Sequence, residues 1–422
     1  MSSLDPARTV RELQELRART GDEHGAQRLA WTDGWAEARR WFAGLLDGLP
    51  VTREVDEAGN VWVTLPGAST DAVLIGGHLD SVANGGWLDG SLNVVAGLEV
   101  LRRLAAEAAA TGLPPPVTVR LVDWADEEGA RFARSLVGSS ACSGNFDPVA
   151  LGALRDADGI TLAEAAAAHG VDVERAPEAR RQLARAKAYV ELHIEQGPVL
   201  ENLGLPLAAV VGTTGIERHR VRFTGQTAHA GSTPMAVRRD PVAAAARLLL
   251  EIREIARRGG GVGTVGSVVA RPGIVTAIAA ECELLTDQRH VEAAALGAMH
   301  AEARAAAARI AAEEGVEVEW GPILELTPTS FHPALVGLCE EAVREVVGAG
   351  AGHRMPSGPG HDAIETARAG VPTVMLFVQS LRGLSHNKDE DTREEHLELA
   401  VRALDALVDK TIAWVAAGRP GL

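Results

Sequence analysis

Five residues of metal-ligand type, His78, Asp89, Glu128, His193 and His386, lie scattered along this 422-residue sequence, each shortly behind or at the end of an apolar run. AVLIG (72–76) leads into Gly77-His78-Leu79-Asp80, with Asp89 soon after. VTVRLVDW (117–124) leads into Asp126-Glu127-Glu128. AYVELH (188–193) ends on His193, with Glu195 following, and PTVMLFV (372–378) precedes His386 by eight residues. Three imidazoles and two carboxylates suit two divalent ions that share a bridging carboxylate. The mixed N/O set favours Zn, Mn, Co or Ni over Ca or Mg, which rarely take histidine. In two-metal hydrolases such ions sit ~3.5–4 Å apart, hold a hydroxide and polarise the scissile carbonyl. The adjacent Glu127 and Glu128 point different ways from extended or turn backbone, so one can bind metal while the other handles protons. Asp80, two residues past His78, is placed to hydrogen-bond that imidazole and fix its tautomer. Taken singly, an HxD pair, a Glu-Glu pair or a histidine behind a strand is ordinary polar surface or a satisfied core residue. Only the five together favour a metal site.

Such donors, separated by 11, 39, 65 and 193 residues, can meet only if the fold gathers them. Ala72–Gly76 and Val117–Asp123 read as buried strands. Between them a helix runs from a Ser91 cap to a Gly112 stop. Strand, helix, strand implies a βαβ unit and a mainly parallel sheet, whose strand carboxyl ends form the ligand-binding edge. From about residue 214 the pattern changes. A strand at Glu217–Thr224 precedes a helix that starts at Asp240-Pro241 and stops at the glycines 259–261. Strands near Val265–Ala270 and Glu283–Asp287, an Ala-rich helix over Val291–Glu314 and the strand VEVEW complete a βαββαβ, ferredoxin-like order. The expected architecture is an α/β catalytic domain built from residues 1–213 and 328–422, with a smaller α+β domain, 214–327, inserted.

Composition narrows the field. With 41 Lys+Arg against 57 Asp+Glu the formal net charge is −16, which argues against nucleic acid and anionic membranes as partners. No apolar run approaches the ~18–20 residues that cross a bilayer, and the polar N-terminus lacks a secretory h-region. Cys142, Cys282 and Cys339 form no CxxC pair, so free thiols in a reducing cytoplasm are expected. Gly358-Pro359-Gly360 lacks the GxGxxG and Walker patterns, which sets aside a phosphate-binding loop.

The stretches GGHLDSV (76–82), DEEGARF (126–132), HIEQGPVLE (193–201), GQTAHAGSTPMAVRRD (225–240), SGPGHDA (357–363) and GLSHNKDE (383–390), in this order, resemble the amidase, hydantoinase and carbamoylase family. That family, within the di-metal aminoacylase and carboxypeptidase superfamily, contains N-carbamoyl-amino-acid amidohydrolases, allantoate amidohydrolases and β-ureidopropionases. HIEQG and AHAGSTPM mark this branch in particular. The resemblance implies Asp89 as the bridge, Glu128 and His386 on one ion, and His78 and His193 on the other. It implies Glu127 as general base and the inserted domain as lid and dimerisation domain of a homodimer. His229 would stabilise the oxyanion in the partner subunit's site. Arg289 would receive the substrate carboxylate, a bidentate task that suits a guanidinium. Gln196 would contact substrate, and Gly360 and His361 would lie in a loop near it.

Two departures stand out. Where the family carries a stretch of the form NVIPG, this sequence has Thr276-Ala277-Ile278-Ala279-Ala280, so Thr276 replaces the asparagine that supports carboxylate binding. The family's Asp-hydrophobic-Arg is Asp287-Gln288-Arg289 here. Ligands intact beside altered substrate-facing positions imply retained hydrolysis with altered substrate. The expected function is a two-metal hydrolase of a non-peptide C–N bond, with N-carbamoyl amino acids preferred and allantoate or another N-acyl or N-formyl amide as the alternative. A silent scaffold homologue is a remote third, since neither a ligand nor the base is missing.

Overall fold

The computed structural model describes residues 4–419. Helix α1 (Pro6–Thr20) is followed by strands β1 (Thr52–Val55), β2 (Val61–Leu65) and β3 (Ala72–His78). Helix α2 (Ser91–Thr111) then leads to β4 (Thr118–Trp124), β5 (Ala186–Ile194) and β6 (Leu207–Thr213). The chain continues through β7 (Gly215–Thr224), α3 (Pro241–Gly259), β8 (Val262–Arg271), β9 (Glu281–His290), α4 (Ala293–Glu314) and β10 (Glu317–Leu326). It ends with α5 (Pro333–Val347), β11 (Thr373–Val378) and α6 (Glu394–Ala416). Two units result: residues up to Val211 together with those from Phe331 on, and Gly212–Ser330.

In the large unit the strands lie in the order β1-β2-β4-β3-β5-β11-β6. The central four, β4, β3, β5 and β11, are parallel, and antiparallel strands close both sides. Every residue of β3 and β11 is buried, as strands covered on both faces require. Trp62 meets Trp124 edge-on with ring centroids 5.3 Å apart, and Trp124 Nε1 donates to Tyr189 Oη at 3.0 Å. With one ring each from β2, β4 and β5, this aromatic row ties the sheet together.

Helix α2 begins differently from the sequence expectation. Gly90, not Ser91, is the cap; the Ser91 hydroxyl donates back to the Trp87 carbonyl at 2.9 Å. The reason is crowding. Gly90 has φ +66°, and a Cβ there would lie 2.2 Å from the His78 ring, so only glycine fits a helix start pressed against that imidazole. Gly112 ends the helix in a left-handed conformation as expected.

The small unit is a four-stranded antiparallel sheet in the order β8-β9-β7-β10, the ferredoxin-like arrangement. Helices α3 and α4 pack on it around Val221, Phe223, Leu248, Ile252, Leu284 and Ile310. Asp240 caps α3, accepting from the N–H groups of Val242 and Ala243, and Gly260 closes it in a left-handed turn. No helix among the described residues is long and apolar enough to cross a membrane.

The α3 cap gives a direct prediction. Asp240→Ala should destabilise by about 1 kcal/mol through loss of the two capped N–H groups. Urea unfolding followed by circular dichroism should show a lower midpoint with an unchanged slope.

Candidate metal centre and active site

The four parallel strands end on one edge, and the donors stand there. His78 closes β3, His193 lies one residue from the end of β5, and Glu127 and Glu128 follow β4. Asp89 precedes α2, and His386 sits in the loop after β11. Asp89 occupies the middle. Its Oδ1 lies 3.1 Å from His193 Nε2 and 3.6 Å from His78 Nε2, while its Oδ2 lies 3.7 Å from His386 Nε2. His386 Nε2 is 3.2 Å from Glu128 Oε2. Two groups of donors thus form, His78/Asp89/His193 and Asp89/Glu128/His386, each with ligand atoms within 4.8 Å of one another. They share one carboxylate.

The residues fit a pair of divalent ions. His78 Nε2 and Glu128 Oε1 are buried without a hydrogen-bond partner, an arrangement that costs free energy unless something else satisfies them. Burial lowers the His78 pKa, which favours the neutral, ligating imidazole. Burial also opposes ionisation of Asp89, but His193, His78 and His386 outweigh it and hold the carboxyl well below the usual range. In return, and against burial, Asp89 raises His193 to about 9. The hydrogen bond to Glu128 takes His386 to about 9 as well. In the bare protein these imidazolium protons are the counter-charges; ion binding would displace them. Glu127 lies 3.6 Å from His78 Nε2, and burial, then Asp362 and Glu128, push its carboxyl well up. Nearby cations would reverse that push.

The supporting contacts explain how the donors stay in place. Asp80 does more than the sequence suggests and does it with a different atom. The His78 Nδ1 partner is the Asp80 carbonyl oxygen at 3.1 Å, with the Asp80 carboxylate 3.6 Å away. That carboxylate instead accepts from the backbone N–H groups of Glu127 and Glu128, at 3.3 and 3.1 Å. One residue therefore couples the end of β3 to the glutamate pair behind β4. Gln196, expected to touch substrate, donates its amide to Asp89 Oδ2 and Ser385 Oγ. Ser385 also donates to Asp89. Asp126, Gln196 and His386 all hold left-handed backbone, with φ of 55°, 58° and 52°. Such strain clusters where side chains must be aimed.

Sequence reasoning missed Glu390. Its buried carboxylate accepts from the N–H groups of Leu88 and Asp89, at 3.1 and 3.0 Å, and so fixes the backbone of the shared donor. In the sequence it belongs to NKDED, which looks like a solvated charge run. It also missed Arg28, fully buried, whose Nε donates to the Leu79 carbonyl, and the buried Arg39–Asp123 pair at 2.7 Å. Asp123 in turn accepts from Leu79 N–H. His361 is buried with its ring 4.4 Å from that of His193 and its Nε2 2.9 Å from Ser357 Oγ; the neighbouring Gly360 is exposed.

The remaining expected residues belong to the small unit. His229 is exposed on a loop whose Ala228 and His229 pair with Ile278 and Ala277, and the exposed Thr276 accepts from Ala230 N–H. The Thr276–Ala280 run thus supports the His229 loop through backbone hydrogen bonds. Arg289 donates to Asp287 at 2.7 and 3.3 Å, and Asp287 also receives Arg218.

A mainly parallel sheet with paired donor groups on its carboxyl edge, interrupted by a ferredoxin-like insertion, defines the class: a two-metal hydrolase architecture. The chain belongs to peptidase family M20/M25/M40, which it matches over residues 74–410. It is 37% identical over 386 residues to an N-carbamoyl-L-amino acid amidohydrolase of Geobacillus stearothermophilus, across 90% of this chain and 92% of that protein. It is 34% identical over 395 residues to an allantoate amidohydrolase of Escherichia coli (strain K12), across 92% and 93%. The crystal structure of a hydantoinase/carbamoylase family amidase from Burkholderia multivorans superposes with a TM-score of 0.87 at 32% identity, across 96% and 98% of the two chains.

Glu390 supplies the prediction here. Glu390→Ala should retain the fold by circular dichroism yet lose divalent ions on dialysis, with affinity down about 10–100-fold. Metal analysis after dialysis at graded chelator strength reads the effect.

Proposed function

We propose that this protein is a cytoplasmic, homodimeric amidohydrolase that uses two divalent ions to cleave the non-peptide C–N bond of a small carboxylate-bearing amide. N-carbamoyl amino acids are the preferred substrates. The observation that carries this reading is the pair of donor groups sharing Asp89, with Glu127 beside them. The likeness to N-carbamoyl-L-amino acid and allantoate amidohydrolases supports the bond type. His78 and His193 would hold one ion, Glu128 and His386 the other, and Asp89 both. When bound, Zn, Mn, Co or Ni ions at such a site polarise a carbonyl and acidify water.

Glu127 takes a proton from the attacking water and returns it to the leaving nitrogen. Water adds to the carbamoyl carbon, the C–N bond breaks, and the amino acid leaves with CO2 and ammonia. Asp80 keeps Glu127 aimed through its grip on the Glu127 and Glu128 backbone. Two groups on the small unit complete the proposal: Arg289, steadied by Asp287, receives the substrate carboxylate, and the partner subunit's His229 donates to the oxyanion. Allantoate or an N-acyl or N-formyl amide is the second reading, favoured by the exposed Thr276 where the resembling family carries asparagine.

Chelation should abolish ammonia release from a panel of N-carbamoyl amino acids, N-carbamoyl-β-alanine, allantoate, and N-formyl and N-acetyl amino acids. The N-formyl and N-acetyl members are read by release of the free amine. Refilling with Zn, Mn, Co or Ni should restore activity to different extents; full activity after chelation, or none on any substrate, would sink the proposal. Glu127→Gln should keep both ions and lose turnover. His229→Ala should cut kcat about 10²–10³-fold, the usual cost of one oxyanion donor, without altering metal content. In mixed Glu127→Gln/His229→Ala dimers one site is intact if sites are shared between subunits, so activity should reappear on exchange.

A further inference from the structure

The small unit carries a second group of metal-type donors that the proposed chemistry does not use. Glu217 and His219 alternate on β7, on the same face as the core residues Val221 and Phe223, and so point toward the helices. His300 comes from α4, next to the buried Met299. His219 Nε2 lies 2.7 Å from Glu217 Oε2. The two imidazole rings face each other with centroids 4.2 Å apart and planes 21° apart. Trp320 of β10 closes the group edge-on, 5.7 Å from His219 and 5.3 Å from His300. One ligand atom from each of Glu217, His219 and His300 falls within 4.8 Å of the others.

A histidine packed in a core is ordinarily a satisfied one, and His219 is satisfied by Glu217. His300 is not: its Nδ1 is buried with no hydrogen-bond partner. Stacking one imidazole on another leaves that orphan nitrogen without compensation, a cost of roughly 1–3 kcal/mol, unless a further group supplies it. A cation beside two imidazoles would do so. Glu325 adds a second carboxylate, 3.9 Å from His219 Nε2, as a fourth donor within reach. Arg304, whose guanidinium lies 6.0 Å from the Trp320 ring centroid, adds one opposing charge against two carboxylates.

We infer that Glu217, His219 and His300 form a structural site for a zinc-type divalent ion, separate in residues and in unit from the Asp89 centre. Two histidines and a carboxylate are a common zinc set. Tetrahedral ligand atoms at ~2.0–2.2 Å from the ion stand about 3.3 Å apart, so rotations closing up to about 1.5 Å complete the geometry. The ion would clip α4 to β7 and stiffen the small unit, with no part in the chemistry.

The test uses the full chain, stripped by chelation and titrated with zinc, with bound metal counted by mass spectrometry. The unaltered protein should hold three zinc ions per chain, and Glu217→Gln and His300→Asn should each hold two while turning over normally. An Asp89→Ala/His193→Ala protein, which disables the other centre, should keep one zinc, and zinc should raise its melting temperature. That zinc should vanish when His300→Asn is added; if His300→Asn does not fold, the partly exposed Glu217→Gln gives the same readout. No zinc on the Asp89→Ala/His193→Ala protein, or a count unmoved by either substitution, overturns the site. Because this arm lacks the Asp89 centre, it fails or succeeds independently of the proposed function.

Discussion

Carboxylates buried without enough positive charge to match them are the constraint from which the large unit follows. Asp80, Asp89, Asp123, Glu127, Asp362 and Glu390 are all buried around the carboxyl edge of the sheet, against only Arg28 and Arg39 as buried guanidiniums among the described residues. Isolated ionised carboxylates in such a place are prohibitively costly. The structure answers in three ways. Some, such as Asp80 and Glu390, take backbone N–H donors, although burial still raises them to about 6 and about 8. Asp123 takes an arginine. Asp89 takes three histidines, and its own ionisation is what raises His193. A pair of divalent cations would resolve the same imbalance more completely, which makes the donor groups and the buried charge one feature rather than two.

That charge must be held in register, and the parallel strands do the holding. Carboxyl ends of β3, β4, β5 and β11 release the chain at one edge, so residues far apart in sequence meet within a few ångströms. The loops then carry the precision. Gly90 lets α2 start against the His78 ring, Asp80 bridges two strand ends through backbone hydrogen bonds, and three non-glycine residues accept left-handed backbone to aim their side chains. Rigid strands with strained, cross-bonded loops give a site whose geometry precedes any ligand.

Much of this was legible because apolar runs and ligand-type residues are both local signals. Strands β3, β4, β5 and β11 lie within two residues of their expected limits, and the α3 cap and stop fall where Asp240-Pro241 and the glycines indicate. What escaped was relational. Ser91 reads as a cap because serine usually is one; nothing in the sequence says that the His78 ring excludes any Cβ at residue 90. Strands β2 and β6 went unread, since VWVTL and LPLAAVV are short and their antiparallel pairing depends on partners far along the chain. Glu390 and Arg28 were invisible for the opposite reason. Charged residues default to the surface, and only burial against a particular backbone N–H or carbonyl reveals their use.

The division between units bears on why substrate identity is the hardest property to read. Metal-ligand chemistry draws on few residue types, so the candidate donors His78, Asp89, Glu128, His193 and His386 announce themselves by type. Residues that select a substrate work by shape and can change without cost to the fold. In the Thr276–Ala280 run, Ala277 and Ile278 pair with the His229 loop by main-chain contacts, while the Thr276 side chain is exposed. A side-chain change at the exposed Thr276 would leave that pairing in place while altering what the loop presents. The Arg289 guanidinium is held by Asp287, which also receives Arg218, and the residue between, Gln288, is buried away from solvent. A fold that separates the rigid demands of metal chemistry from the permissive ones of substrate choice can change the second without disturbing the first.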